Sequence, residues 1–433
     1  MSQPRSNHGE SSENRIEEIL KASYSEDFVV RNPKGLRENG LEEEIADFLV
    51  PFRDTLIVVQ VKSREQGAPS ESLDAVDLKR FEKRLQRGTK QLKTAKRALD
   101  NGWATEVETL RGITQPFSYG RFKKLVGIVV LDIPDEDEHG IDSALDLYGG
   151  LDEIQGITAH LFMRRDFGTL IEQLTTIPDL VEYLSVREEL KKKEVLWPLS
   201  CEVDFLALFI SQYGVIEQCL NGEITGLHLE DGLWESLTGK ESAEFAERAE
   251  SIRHSRFYFD RMVGAMHQIV GYEVPEWAKP ATMQSGPGTK EQHLELVEEL
   301  AGHRRVDRIR FSLKMEEKMR KADEAGFGFY VSVPGERACP LLFLSCAGDR
   351  KSRNQKLHTM VCALSVYFGG VRVMGIGTEN LKSPVRSFDT YTVPAGTEFD
   401  NEEEIAEWAK QIFGNKSWES FDEWGNEYSP ETS

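Results

Sequence analysis

The chain has 433 residues, of which 53 are Lys or Arg and 74 are Asp or Glu, so its formal net charge is −21. A length of this order favours two or three domains of roughly 150 residues each. The negative charge argues against a protein whose whole surface coats DNA or a membrane, but it remains compatible with one basic face.

Several classes of protein are excluded by motifs that the sequence lacks. It contains no GxSxG, HExxH or GxxxxGK[ST] pattern, which argues against serine hydrolases, zinc proteases and P-loop enzymes. Its five cysteines form no CxxC pair, so neither a disulfide framework nor a four-cysteine zinc site is expected. A polar start and the lack of a long apolar run predict a cytoplasmic protein without a membrane partner.

The first part of the chain predicts an α/β domain. We expect disorder over residues 1–12, because they are polar and unpatterned. Hydrophobic periodicity then predicts helices and strands in the order helix, three strands, helix, strand, helix, strand. The predicted helices cover 14–23 and 74–100, with another before the last strand, and the predicted strands cover 27–31, 45–52, 55–63, 125–132 and 157–163.

A charge run at Lys191-Lys192-Lys193, followed by Pro198, predicts a domain boundary near residue 195. The chain would then consist of a first domain at 13–195 and an accessory α+β domain at 196–433. The accessory half carries no recognisable chemical motif, and we expect it to contact a protein partner or a substrate feature. A homo-oligomer is an open alternative.

One acid and three consecutive residues of a predicted strand carry the chemistry. Gln60 follows Asp47 by thirteen residues and leads into Val61 and Lys62. Side chains alternate along a strand, so Gln60 and Lys62 share a face, and a tight link through Arg53-Asp54 would bring Asp47 beside them. An acid, an amide oxygen and the Val61 carbonyl suit a hard cation, and Lys62 can offset charge on a phosphate.

This set resembles the PD-(D/E)XK superfamily of restriction-endonuclease-like nucleases, in the D…QxK variant of methyl-directed, Mrr-type restriction enzymes. The predicted order of elements over roughly residues 13–175 is similar to that fold. The resemblance implies a metal-dependent DNA endonuclease that uses Mg²⁺, with Mn²⁺ as a substitute. It assigns Asp47, Gln60 and Val61 to the metal, Lys62 to catalysis, and Glu17 to an auxiliary acid, with Glu18 and Glu44 as rivals.

The predicted helix after the motif is basic in an acidic protein. Between residues 79 and 97 it carries nine basic side chains against the single acid Glu82. Its position beside the motif favours contact with a phosphate backbone. The residues expected to bind nucleic acid are Lys79, Arg80, Lys83, Arg84, Arg87, Lys90 and Gln91.

The leading interpretation is therefore an endonuclease that cleaves DNA, in defence against foreign DNA by family analogy. RNA is an alternative substrate. The neutral Gln60, in a position where an acid is usual, supports a second hypothesis: a catalytically weak nuclease-fold subunit or sensor that binds nucleic acid and acts with a partner.

Overall fold

The computed structural model of the chain describes residues 8–24, 26–37, 39–63, 76–132, 151–154, 156–195, 201–227, 229, 231–239, 246, 249–250, 297–333, 339–383 and 387–414. These residues divide into two compact units, the first ending at 239 and the second running from 246 to 414. Both units mix helices with sheets, which confirms the α/β class at this coarse level.

The first unit is built on a six-stranded sheet. Its strands, in spatial order, are β1 (Val30–Arg31), β4 (Phe48–Phe52), β5 (Thr55–Ser63), β8 (Lys124–Asp132), β10 (Ile157–Met163) and β9 (Leu151–Ile154). The central pairs β5–β8 and β8–β10 are parallel, and the outer pairs are antiparallel. Two small hairpins lie outside this sheet: β2 (Lys34–Leu36) with β3 (Glu42–Glu44), and β6 (Glu106–Glu108) with β7 (Thr114–Pro116).

Helices α1 (His8–Tyr24) and α2 (Val76–Asp100) contact β5 and are followed by α3 (Arg164–Gln173) and α4 (Ile177–Lys192). The helix expected between β8 and β10 was predicted without bounds; residues 133–150 of this stretch lie outside those described, and its end forms the strand β9, which was not predicted. Helix α1 begins at His8, so the expected disorder is wrong for residues 8–12. Ser12 is buried there, and Ile16 and Leu20 anchor the same helix to the core.

The core between α2 and the sheet explains why β5 carries its polar residues on one face. Leu56 and Val58 of β5 pack with Leu85 and Leu92 of α2 in one cluster, which also holds Val129 of β8. Because strand side chains alternate, the next even-numbered positions of β5 continue on this face. Those positions are Gln60 and Lys62.

The predicted boundary near residue 195 falls inside the first unit. The basic run at 191–193 ends α4, where positive side chains suit the negative end of the helix dipole. Helices α5 (Glu202–Ser211) and α6 (Tyr213–Leu220) follow, and a short α7 (Leu233–Thr238) closes the described part of this unit. Arg187 donates to Glu202 at 2.7 Å across the predicted boundary. The charge run is therefore a helix end and not a linker.

The second unit contains a four-stranded sheet in the order β11 (Phe327–Ser332), β12 (Leu341–Cys346), β13 (Val373–Glu379) and β14 (Phe388–Val393). Only the central pair, β12–β13, is parallel. The helices are α8 (Arg305–Ala325), α9 (Arg350–Tyr367) and α10 (Glu402–Phe413). The apolar run Leu341–Cys346 forms β12, and all six of its residues are buried.

None of the described helices is by itself long and apolar enough to cross a bilayer. Helices α5 and α6 reach that length and composition only as a pair, and they meet at a 97° bend.

Candidate active site

Asp47 lies at the bend that leads into β4, with 6% of its surface exposed. The β4–β5 register pairs Phe48 with Val59, and one step further the same register places Asp47 opposite Gln60. Its Oδ2 accepts a hydrogen bond from the Val61 backbone N–H at 2.5 Å. The tight turn at Arg53, which has a φ of +51°, makes this pairing possible. The structure thus brings Asp47 to the strand that carries Gln60, Val61 and Lys62.

Lys62 lies between the acid and the backbone of its own strand. Its Nζ is 3.4 Å from Asp47 Oδ2 and donates to the Val61 carbonyl at 2.6 Å. Its side chain is 15% exposed, so the ammonium is largely withdrawn from bulk water. A positive charge is therefore held beside a carboxylate and a carbonyl oxygen, close to the end of β5.

Gln60 is almost fully buried, with 2% of its surface exposed. Its Oε1 accepts no hydrogen bond from any residue that the structure describes. A buried polar oxygen without a partner is destabilising and uncommon in folded proteins. An oxygen of this kind beside a carboxylate is a ready ligand for a cation.

Of the three rival acids, Glu44 is the one that contacts Asp47. Burial raises the pKa of the Glu44 carboxyl, and so do the negative charges of Asp47 and Glu13 and a hydrogen bond to Asp47. Glu44 ends β3 in a separate hairpin, and Asp47 occupies a bend. The predicted strand 45–52 begins only at Phe48, so no continuous strand joins Glu44 to Asp47 and fixes their side chains on opposite faces.

Glu17 is engaged elsewhere. It pairs with Arg31 at 2.5 Å and with Lys21 at 2.5 Å. Burial raises the pKa of Glu17, but the hydrogen bonds from these two cations outweigh it and leave the pKa below its ordinary value. Glu18 is exposed and pairs with Lys21 at 3.7 Å. The acid of α1 that acts on Glu44 is Glu13, one helical turn before Glu17, and the sequence reasoning missed it.

Helix α2 crosses the face that carries Gln60 and Lys62, and Gly88 makes this crossing close. A Cβ built on Gly88 would lie 2.6 Å from Val129 Cγ1 and 3.5 Å from Lys62 Cγ. Glycine in a helix interior is unfavourable by about 1 kcal/mol relative to alanine, so a packing reason is expected for it. The helix rests directly against the stem of Lys62 and limits where that side chain can move.

The outer face of α2 is positively charged, as predicted. Lys83, Arg87 and Lys90 are exposed, and among the described residues they form no ion pair. Arg84 is half-buried and has a partner, and Gln91 is exposed. Lys79 and Arg80 belong to the helix, but their side chains fall outside the described part. A row of unpaired cations thus runs along the helix that covers the site.

The oxygen donors match the preference of a hard divalent cation. Asp47 offers a carboxylate, Gln60 an unpartnered amide oxygen and Val61 a carbonyl, with the Glu44 carboxyl adjacent. Mg²⁺ is typically held by one or two carboxylates and keeps several waters, so a dedicated cage of acids is not required. The described residues contain no group of three or more His, Cys, Asp or Glu arranged to hold a metal.

Comparison with known proteins gives no match for this chain. No family model, curated protein or solved structure matches the chain. Of the predicted residues, the structure brings together Asp47, Gln60, Val61 and Lys62, with the basic helix beside them, and it separates Glu17 from this group.

Proposed function

We propose that the chain is a metal-dependent endonuclease that hydrolyses phosphodiester bonds of DNA. The contact set of Asp47, Val61 and Lys62, beside the orphaned oxygen of Gln60, is the observation that supports this most strongly. It combines cation ligands with a partly buried lysine at one strand end, and hydrolysis of a phosphate diester uses both.

The fold of the first unit supports the same proposal. Helix α1 precedes an antiparallel run of β1, β4 and β5, and α2 then crosses to the parallel strand β8. This order is the one expected of a PD-(D/E)XK core, with Asp47 directly before its second strand and Lys62 on its third. We therefore propose membership of that superfamily as part of the functional assignment.

Each residue has a role set by its position. Asp47, Gln60 and the Val61 carbonyl would hold the cation, which when bound polarises the phosphate and acidifies water. Lys62 is close enough to Asp47 to leave its carbonyl contact and donate to the attacking water or to a phosphate oxygen. Its positive charge offsets the negative charge that grows on the phosphate in the transition state.

The α2 surface supports a polyanionic substrate. Unpaired Lys83, Arg87 and Lys90 lie on the helix that covers Lys62, so a bound backbone would pass close to the proposed catalytic atoms. With a net charge of −21 over the whole chain, repulsion elsewhere would confine DNA to this face. A role in defence against foreign DNA rests on analogy with Mrr-type enzymes.

A second candidate function is supported by one observation. Gln60 brings no charge to the cation site, and Lys62 is hydrogen-bonded to Val61 O, the carbonyl expected to serve as a ligand. A subunit that binds nucleic acid without turnover, and acts with a partner, would tolerate this arrangement.

The test is cleavage of supercoiled plasmid by the purified full chain in Mg²⁺, in Mn²⁺ and in EDTA, with Asp47→Asn as the matched variant. This substitution keeps the size of the side chain and removes its charge. Nicking that requires the metal and falls at least about 100-fold in Asp47→Asn is expected. Binding without cleavage in either metal would favour the second function, and cleavage that persists in EDTA would contradict the proposed site.

A further inference from the structure

Asn32 lies directly after β1 and next to Asp47. Its backbone N–H donates to the Asp47 carbonyl at 2.9 Å. The β1–β4 register pairs Arg31 with Phe48, and its next step places Asn32 opposite Asp47. Asn32, Asp47 and Gln60 thus occupy one row, with Asn32 directly after β1, Asp47 directly before β4 and Gln60 within β5. No sequence pattern pointed to Asn32.

The side chain of Asn32 shares a property with that of Gln60. Its Oδ1 is buried and accepts no hydrogen bond from the described residues, as is the case for Gln60 Oε1. Buried amide oxygens normally find a partner, because leaving one unpaired destabilises the folded state. Two such oxygens flank a single carboxylate in this row, so both are available to a ligand that binds beside Asp47.

The backbone of Asn32 adopts a conformation that few residue types tolerate. Its φ is +46°, a left-handed conformation that glycine adopts most easily and asparagine tolerates. Strained backbone positions cluster at functional sites. Strain alone does not identify a ligand, so the inference rests on the unpartnered oxygens of Asn32 and Gln60.

We propose that Asn32 supplies a further oxygen to the shell of the divalent cation held by Asp47 and Gln60. This inference rests on the proposed function, since it concerns the same cation site. Asn32 contributes no charge, so Asp47 and the nearby Glu44 remain the sources of negative charge at the cation. The site would then combine amide, carbonyl and carboxylate oxygens from β1, β4 and β5, which suits a hard, hydrated cation.

The test measures binding of Mn²⁺ alone to the full chain. Binding is followed by calorimetry and by the loss of the electron paramagnetic resonance signal of free Mn²⁺. Asn32→Gly keeps the left-handed backbone and removes the oxygen, whereas Asn32→Asp keeps an oxygen at the same place. We expect the glycine variant to bind Mn²⁺ about tenfold more weakly or worse, as for other residues that support a metal shell, with no loss of thermal stability. The aspartate variant should bind at least as tightly as the unmodified chain.

Glu194→Gly is the matched control, because Glu194 also has a left-handed φ, of +55°, and follows α4. It should leave Mn²⁺ affinity unchanged. If Asn32→Gly binds like the unmodified chain while Asp47→Asn loses binding, the inference about Asn32 is wrong and the cation site stands. If the unmodified chain shows no Mn²⁺ binding that depends on Asp47, the cation site and the inference are both overturned.

Discussion

Replacing Gly88 by alanine tests how closely α2 is packed over the site. The added Cβ would lie 2.6 Å from Val129 Cγ1 and 3.3 Å from Val129 Cγ2. Carbon atoms in contact prefer separations of about 3.5–4.0 Å, so either the helix or the strand must shift. Val129 is fully buried in the central strand β8 and has little room to move.

Two opposing terms set the magnitude. Alanine improves helix propensity by about 1 kcal/mol, whereas overpacking of a core costs about 1–3 kcal/mol. Because the clash involves a buried, β-branched side chain in the middle of a sheet, we place its cost near the upper end. The expected result is a net loss of about 1–2 kcal/mol in the free energy of unfolding of the first unit.

Gly168 in α3 provides the matched control. A Cβ there would meet only Ile19 Cδ1, at 3.6 Å, which is an ordinary contact. Gly168→Ala should therefore stabilise the first unit by about 0.5–1 kcal/mol through helix propensity. The same substitution, made in two helices of one unit, is expected to have opposite signs.

The assay is urea unfolding of the full chain, followed through the transition of the first unit, for both variants and for the double variant Gly88→Ala/Val129→Ala. Removing the two Val129 methyl groups should make the Gly88 substitution less costly than it is in the native background, which a double-mutant cycle measures directly. If Gly88→Ala stabilises the protein as much as Gly168→Ala does, the close approach of α2 is wrong.

Two further predictions concern the α2 surface and a buried histidine. The triple variant Lys83→Glu, Arg87→Glu, Lys90→Glu reverses the three exposed, unpaired cations of α2. It should weaken DNA binding and reduce the slope of log K against log salt concentration by about three, as measured by fluorescence anisotropy. The control is Lys193→Glu at the exposed end of α4, which should change neither the affinity nor the slope. Burial lowers the pKa of His160 from 6.5 to about 4. As the pH falls, the imidazole is therefore protonated in the unfolded chain before it is protonated in the folded one. The stability that is present above pH 6.5 is lost as the pH falls towards 4. This histidine should account for a loss of about 2 kcal/mol in the free energy of unfolding between pH 7 and pH 5. Urea unfolding at these two pH values should show a loss smaller by that amount in His160→Gln than in the unmodified chain. An equal loss in both proteins would contradict the assignment.

The buried hydrogen-bond network around His160 also disfavours a second proton on its imidazole. Arg187 donates to His160 Nδ1 at 2.9 Å, so Nε2 carries the hydrogen and faces Glu188 at 3.2 Å. Arg187 also pairs with Glu202 of α5, and its guanidinium lies 4.6 Å from the Phe162 ring centre. A second proton on the imidazole would meet a positive charge at Nδ1.

The periodic features of the sequence were sufficient to predict much of the fold. Strand β5 is almost continuously apolar because both its faces are covered, and its bounds were predicted as observed. The buried face of α2 follows from helical spacing, and Leu85, Leu92 and Ala95 lie on it. Asp47 could be placed beside β5 because a two-residue turn fixes the register of the hairpin.

The features that were missed depend on tertiary contacts. Glu44 reaches Asp47 because the β2–β3 hairpin ends at Glu44, before β4 begins at Phe48. Hydrophobic periodicity does not reveal such an end. The role of Gly88 depends on a strand that lies about 40 residues later in the chain. Asn32 carries no local signal either, since a single asparagine before a proline predicts only a turn. Such residues are found from contacts and unpaired atoms, and sequence spacing alone does not identify them.

We propose that Lys62 acts in cleavage and that the α2 surface acts in binding. The most direct measurement follows one fluorescent DNA duplex with the Lys62→Ala variant, by anisotropy for binding and by single-turnover kinetics for cleavage. We predict a cleavage rate lower by about 100- to 1,000-fold, with an affinity within about threefold of that of the unmodified chain. A Lys62→Ala variant that cleaves the duplex at the unmodified rate would contradict the account.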